Sequence, residues 1–303
     1  MAADSARTDF IAAIGIHCAG AKIMTKQVNQ RRWPLIGPPL LWQLAFFALP
    51  LLFLVVISFW SVQNFRLEPD FTFKNWVTMM TRDTFWSAYG YTWQLALGAA
   101  FLASLLALPA AYSITFHLSE RARGIAVMLL VVPFFTSYIV RAYAWQVFLA
   151  DNGIINALLT QLGIEPLPLL NNSFGTLVGY LTLCMPLVVL IQVMGMSQID
   201  RVLIEAARNL RAGPWRTLFE VVIPAMKASL VVAWLFAFIL SFGDFVSPTY
   251  LGGGGSPTLS NLIIDTTKSG QQWPRAAVVA IAMIVTLVAT SLLAVGYAYK
   301  ERK

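Results

Sequence analysis

Two ionisable residues interrupt long apolar stretches: Arg141, between about Gly124 and Leu149, and Asp244, near the end of a stretch from about Pro224 to Val246. A charge at a bilayer centre costs about 2.5–3.5 kcal/mol on insertion scales, so such groups face protein or water. Two readings stay open. Either the two residues pair or snorkel outward, or Asp244 attracts a cation, with Tyr143 and Trp145 offering aromatic faces to it. Arg141 opposes a cation path unless a carboxylate neutralises it. Covalent catalysis finds no constellation. His17 and His117 lie far from any matching ligand cluster, and no serine–histidine or dicarboxylate pairing sits in the apolar stretches. No G-x-x-x-x-G-K-[ST] loop is present, so ATP hydrolysis is not expected in this chain, nor any cofactor or metal. Cys18 and Cys184 make no disulfide framework, and Cys184 reads as a small packing residue.

These residues are carried by an unusually apolar chain. Of its 303 residues, 58% are hydrophobic and 12% charged, too little charge to cover soluble domains, where about 25% is usual. The net charge of +7 does not point to nucleic acid, because basic and aromatic residues never interleave on a polar domain. A spanning helix needs about 20 mostly apolar residues. Six stretches qualify, at about 39–60, 89–113, 124–149, 173–196, 224–246 and 276–299. With the N-terminus inside, fifteen Lys/Arg fall on the cytoplasmic side and five on the outer side, which predicts both termini in the cytoplasm. Pro50, Pro109, Pro133 and Pro186 are expected to kink spans, and Gly175 with Gly179 marks a close helix contact. Phe10 to Ala21 is too short to span. It is either an interfacial helix or lies ahead of a true start at Met24, beside the basic run Lys26, Arg31 and Arg32.

The connection from Met196 to Pro224 is patterned. Ser197 and Asp200 have capping-box spacing, and Ile199, Val202, Leu203, Ala206 and Leu210 recur at helical spacing. Gly213-Pro214 breaks the chain, and Trp215, Leu218, Phe219 and Val222 form the apolar face of a second helix. The small pair Ala206 and Ala207 beside Glu205 lets another surface approach closely. Periodicity alone leaves two roles open: docking to a protein, or lying on lipid headgroups.

Glu205-Ala206-Ala207, followed by Val221 and Ile223-Pro224, resembles the EAA motif of permeases of binding-protein-dependent ATP-binding-cassette importers. The resemblance implies a coupling helix seated in a separate ATPase, with Glu205, Ala206, Ala207, Gly213, Val221, Ile223 and Pro224 as its residues. The family's usual glycine falls on Arg211, and a glycine stands instead at Gly213. Val132 to Ser137 with Arg141 to Trp145, Asp151 to Asn156, and Gly243 to Pro248 with Leu251 to Gly253 are similar to spermidine/putrescine permeases.

The fold expected is therefore an all-α integral membrane protein of about six transmembrane helices, with a type I importer permease fold and both termini cytoplasmic. Residues 1–37 form an N-terminal segment, 38–62 the first span, 63–87 an outer loop and 88–300 the importer domain, with the coupling loop at 196–224. The resemblance implies a multi-pass protein of the bacterial inner membrane that translocates a small polyamine. Its implied partners are two ATPase copies that bind ATP and Mg, a second permease chain, and a periplasmic substrate-binding protein. The Leu251–Pro257 loop is expected to be flexible and to face that protein. Substrate alternatives are an opine or amino-acid-like solute. A secondary transporter is the rival class, but Asp244 is the lone candidate for an ion-coupling carboxylate in its spans.

Overall fold

The computed structural model describes residues 33–300 apart from Ser256. The readings on Phe10 to Ala21, the Met24 start, His17 and Cys18 lie outside the described residues. Four described helices are long and apolar enough to cross a membrane unaided: Gly37–Ser58, Asp83–Phe116, Ser173–Ser197 and Trp273–Ala298. Two further helix pairs, each bent at a short break, bring the count to as many as six when each pair is taken as one broken span.

Helix α1 (Trp33–Ser58) is a unit of its own over most of its length, with Pro38, Pro39 and Pro50 inside it. The second unit begins at Ile57. It opens with an antiparallel hairpin, β1 (Ser61–Gln63) and β2 (Arg66–Glu68), which pairs Ser61 with Glu68. Asn64 and Phe65 both have positive φ, 48° and 62°, as a two-residue turn matching strand twist requires. An all-helical chain was expected here, and periodicity offered no cue for strands of three residues. Short α2 (Lys74–Met80) follows, and its Asn75 side chain donates to the carbonyls of Ser58 (3.1 Å) and Trp60 (2.7 Å).

The core is built from α3 (Asp83–Phe116), α7 (Ser173–Ser197) and α10 (Lys227–Gly243), which pack on one another. Helix α3 presents Ala96, Ala100, Ala103, Ala107 and Ala111, all fully buried. In lipid, helices gain little from burying apolar surface against each other, so small residues that allow close backbone approach define the interface. Cys184 belongs to this interface, its thiol donating to the Ala237 carbonyl (3.6 Å) beside the Ser241 hydroxyl (3.4 Å). It is a packing residue, as expected.

The third apolar stretch differs from the single span expected. It divides into α4 (Glu120–Val131), a 3-10 turn over Val132–Phe135, and α5 (Tyr138–Leu149), which continues into α6 (Ile154–Gln161). The two parts meet at 95°. Pro133 opens the 3-10 turn, and Thr136 is extended, with its amide (3.3 Å) and hydroxyl (2.9 Å) both donating to the Pro133 carbonyl. A proline kink has become a break because local bonds replace the helix ladder on one side.

Helix α8 (Arg201–Asn209), α9 (Pro214–Thr217), a π turn at Leu218–Val222 and a last turn at Ile223–Ala225 occupy the connection to α10. Met226 breaks the chain there, and α10 leaves at 81° to the segment Trp215–Ala225. Pro224 therefore precedes the fifth span rather than opening it. Beyond α10 come α11 (Val246–Tyr250), α12 (Leu259–Lys268) and α13 (Trp273–Tyr299).

Candidate functional site

The connecting loop is anchored before it starts. Ser197 is the last residue of α7, where its hydroxyl donates to the Val193 carbonyl (2.5 Å) and accepts from Arg123. It is not free to cap α8. Asp200 does so instead, Oδ1 accepting from the Val202 amide at 3.0 Å. The expected capping box is thus a single aspartate cap, because its serine already closes the preceding helix.

At the other end of α8, Arg211 takes φ +55°. The Leu210 amide donates to Ala206 (3.1 Å), and the Ala212 amide reaches back to Ala207 (3.0 Å). A six-to-one bond across a left-handed residue is a Schellman closure. Arg211 holds the left-handed position usually given to glycine. Gly213 has no positive φ, and its carbonyl accepts from the Thr217 amide (2.9 Å) and hydroxyl (3.1 Å). The turn survives, and Gly213 is not what permits it.

Helix α8 has two apolar faces. Ile204 and Ala207 are buried beside the turn that contains Leu218 and Val222, which are themselves buried. Val202, Leu203 and Leu210 are exposed, with Ala206 and Glu205 beside them. Trp215 (70% exposed) and Phe219 (60%) stack at 6.3 Å and extend this outward surface. The π turn makes the separation, placing Leu218 and Val222 inward while Phe219 stays outward. Single-turn π segments are frequent at functional sites. Among the motif residues, Glu205, Ala206, Gly213 and Pro224 are exposed, Val221 and Ile223 half-buried and Ala207 buried. The expectation that both alanines offer a close approach fits the exposure of Ala206 alone.

At the other end of α10 the intramembrane charges meet through a residue that sequence reasoning missed. Tyr138, the first residue of α5, donates its hydroxyl to Asp244 Oδ2 at 2.7 Å and lies 2.5 Å from the Ser247 hydroxyl. Asp244 also accepts from the Val246 (2.9 Å) and Ser247 (3.0 Å) amides, and so caps α11. The Arg141 guanidinium lies 5.7 Å from the centre of the Tyr138 ring and donates to the Thr182 carbonyl at 3.4 Å. Arg141 and Asp244 form no ion pair with each other. Tyr143 is half exposed and rests on Tyr250 (4.8 Å), while Trp145 rests on Phe148 (6.1 Å). No hydrogen bond or ring contact joins either aromatic to the carboxylate. Tyr138 carries no sequence signal, since a tyrosine at the edge of an apolar run reads as packing.

Helix α11 is clamped against α7. A Cβ on Gly175 would meet the Leu251 carbonyl at 2.6 Å, and one on Gly179 the Ser247 hydroxyl at 2.4 Å. The close contact expected of this pair is present. The adjoining glycine loop is packed at its start: Leu251 is fully buried, its carbonyl accepts from Asn171 (2.9 Å), and Gly253 needs φ +67° beside Asn171. The flexible connector expected here is a fitted corner for at least Leu251 to Gly253.

Comparison with known proteins follows the same lines. The family described as binding-protein-dependent transport system inner membrane component matches residues 101–303. The spermidine/putrescine transport system permease protein PotB of Haemophilus influenzae is 26% identical over 253 residues, covering 81% of this chain and 86% of its own. A bacterial transporter importing the acidic polysaccharide alginate shares the fold, with TM-score 0.73, 18% identity, and 90% and 98% of the two chains covered. A second structure, of a bacterial alginate transporter in complex with an alginate pentasaccharide-bound periplasmic protein, gives TM-score 0.67 at 17% identity, covering 88% and 93%.

Proposed function

The chain belongs to the inner membrane components of binding-protein-dependent transport systems, and on that premise we propose that it is the polyamine-class permease of an ATP-driven importer. The observation that carries the coupling half of this reading is the outward apolar face of α8 and α9. Leu203, Leu210, Trp215 and Phe219 are exposed around Ala206 and Glu205, while Ile204 and Ala207 on the opposite face are buried beside the Leu218–Val222 turn. A surface of that kind suits a cleft in a separate ATPase, which binds ATP and Mg. The Lys/Arg asymmetry puts this loop and both termini in the cytoplasm.

Substrate reaches the other face from a periplasmic binding protein, and a second permease chain completes the path. The polyamine class rests on the likeness to spermidine/putrescine permeases. Three donors already converge on Asp244, so its chief role is to order the wall of the path. The exposed Tyr143 face beside Tyr250 offers cation–π contact to an amine.

The test is co-purification with the partner ATPase and uptake in vesicles. Glu205→Lys and Trp215→Ala are expected to reduce both at least tenfold while leaving the melting temperature unchanged. Full ATPase association in both variants would overturn the coupling role. Uptake of an amino acid or opine in place of putrescine or spermidine would overturn the substrate class.

A further inference from the structure

Two tryptophans mark one level of the bilayer. Trp86 stands three residues before Tyr89, which opens the apolar stretch of α3, and Trp273 three residues before Ala276, which opens that of α13. At 1.5 Å per residue each lies about 4.5 Å beyond its apolar stretch, inside the headgroup layer of roughly 5–7 Å that flanks the hydrocarbon. Both are exposed, as indoles at a membrane boundary are. The hairpin and α2 are fastened at this level. The Trp86 indole donates to the Met80 carbonyl at the end of α2 (2.8 Å), and β1 and α2 both pack on α13.

The same segment turns phenylalanine rings outward. Phe71 is 76% and Phe73 62% exposed, yet both are held from behind. Phe59 stacks on Phe71 at 4.8 Å and meets Phe73 edge-on at 5.2 Å, and its carbonyl accepts from the Thr72 amide (2.8 Å). At the hairpin tip Phe65 is exposed too, with φ +62° and no ring contact among the described residues. Asparagine or glycine is the ordinary choice at such a position, so the phenyl group there serves something outside the hairpin.

We propose that the outer leaflet of the bilayer covers Phe65, Phe71 and Phe73, which makes the Phe59–Met80 segment an interfacial anchor rather than a loop in water. Charges from Phe59 to Trp86 balance, with Arg66, Lys74 and Arg82 against Glu68, Asp70 and Asp83. Ring burial, not attraction to anionic lipid, therefore seats the segment. A soluble partner that docks and leaves meets a surface about as polar as the rest of a protein. A second permease chain would approach through small residues. Neither suits three phenylalanines at membrane level. The seating follows from the spans alone and is independent of both coupling and substrate.

The test places a nitroxide at Phe65→Cys, Phe71→Cys or Phe73→Cys in a Cys18→Ser, Cys184→Ala background of the full chain in nanodiscs. Its collisions with oxygen, which concentrates in the bilayer, are compared with those of a water-soluble nickel chelate. Glu165→Cys, at an exposed position between Gly163 and Pro168, supplies the aqueous reference. Each phenylalanine site is expected to give an oxygen-to-nickel ratio several-fold above the reference, equally in phosphatidylcholine and phosphatidylglycerol. A photoactivated apolar carbene reagent dissolved in the bilayer reads the same seating in the wild-type protein, by labelling the peptide that carries Phe71 and Phe73. Nickel access equal to the reference, or an unlabelled peptide, would place the rings in water and overturn the proposal. Exclusion of oxygen and nickel alike would mean that protein covers the rings, and would overturn it too. Seating in phosphatidylglycerol alone would make charge the cause and overturn the assignment to ring burial.

Discussion

The Tyr138 hydroxyl lies 2.7 Å from Asp244 Oδ2, which ties the first residue after one broken span to the residue that ends another. The bond joins the 95° bend before α5 to the extended backbone between α10 and α11. Asp244 is 8% exposed, and each of its three donors offsets part of the hydration its side chain loses on burial. The same tyrosine presents its ring to Arg141, so two opposite charges that do not touch are organised by one side chain.

Tyr138→Phe removes that hydroxyl and keeps the ring. A hydrogen bond to a charged group is worth about 1.5–3 kcal/mol, so the purified protein should melt several degrees lower. The two backbone donors remain to Asp244, so α11 should keep its cap. Uptake should fall with the amount of folded protein, while KM for the solute stays within about twofold. A large KM change at unchanged melting temperature would move Asp244 from the wall to the solute itself.

Arg211→Gly tests the end of α8. A left-handed residue with a side chain costs roughly 1–2 kcal/mol, and the extra freedom of glycine in the unfolded chain returns about 0.4–1 kcal/mol of that. The net gain should fall between about 0 and 1.6 kcal/mol, seen as a small rise in melting temperature. Gly213→Ala should be close to neutral, because a Cβ there meets nothing within 4 Å and the backbone needs no positive φ. Loss of stability in the alanine variant would restore Gly213 as the residue that makes the turn.

What was legible in the sequence follows from how each feature is encoded. Spans are encoded by length and composition, so 39–60, 89–113, 173–196 and 276–299 all coincide with long helices. The loop motif is encoded by spacing, and its helices formed near where Pro214 and Leu210 indicated. The break at Thr136 was not legible, because a proline within an apolar run is compatible with a continuous kinked helix. Nor was the facing of α8: Ile204 and Val202 are equally apolar, and packing on the Leu218–Val222 turn decides which is hidden. Arg211 concealed its conformation because left-handed backbone is normally announced by glycine or asparagine. Tyr138 was missed since hydrogen bonds across 106 positions leave no local pattern.

Neighbouring alanines separate docking from packing. Ala206 is exposed, whereas Ala207 is 7% exposed, on the side of the helix buried beside the Leu218–Val222 turn. Ala206→Leu should leave the melting temperature unchanged and reduce ATPase co-purification severalfold. Ala207→Leu inserts three carbons into a filled space, and overpacking of that kind costs about 1–3 kcal/mol. It should lower the melting temperature first and lose the ATPase only as a consequence. Identical behaviour of the two variants would mean that α8 turns over on docking.

Gly179→Ala brings the outer cluster and the helix packing into one measurement. The added methyl would lie 2.4 Å from the Ser247 hydroxyl, 2.6 Å from its Cβ and 2.9 Å from a Leu251 methyl. Ser247 can retreat only by disturbing its bonds to Tyr138 and Asp244, and Leu251 is fully buried. Alanine is otherwise the better helix former by about 0.8–1 kcal/mol, so a loss of stability isolates the steric conflict. Gly98→Ala on α3 supplies the control, since a Cβ there meets nothing within 4 Å and should raise or preserve the melting temperature. The two variants should therefore move in opposite directions, Gly179→Ala down by several degrees. If both rose, α7 and α11 would have slack between them, and the bond from Tyr138 to Ser247 would lose its role in holding that corner.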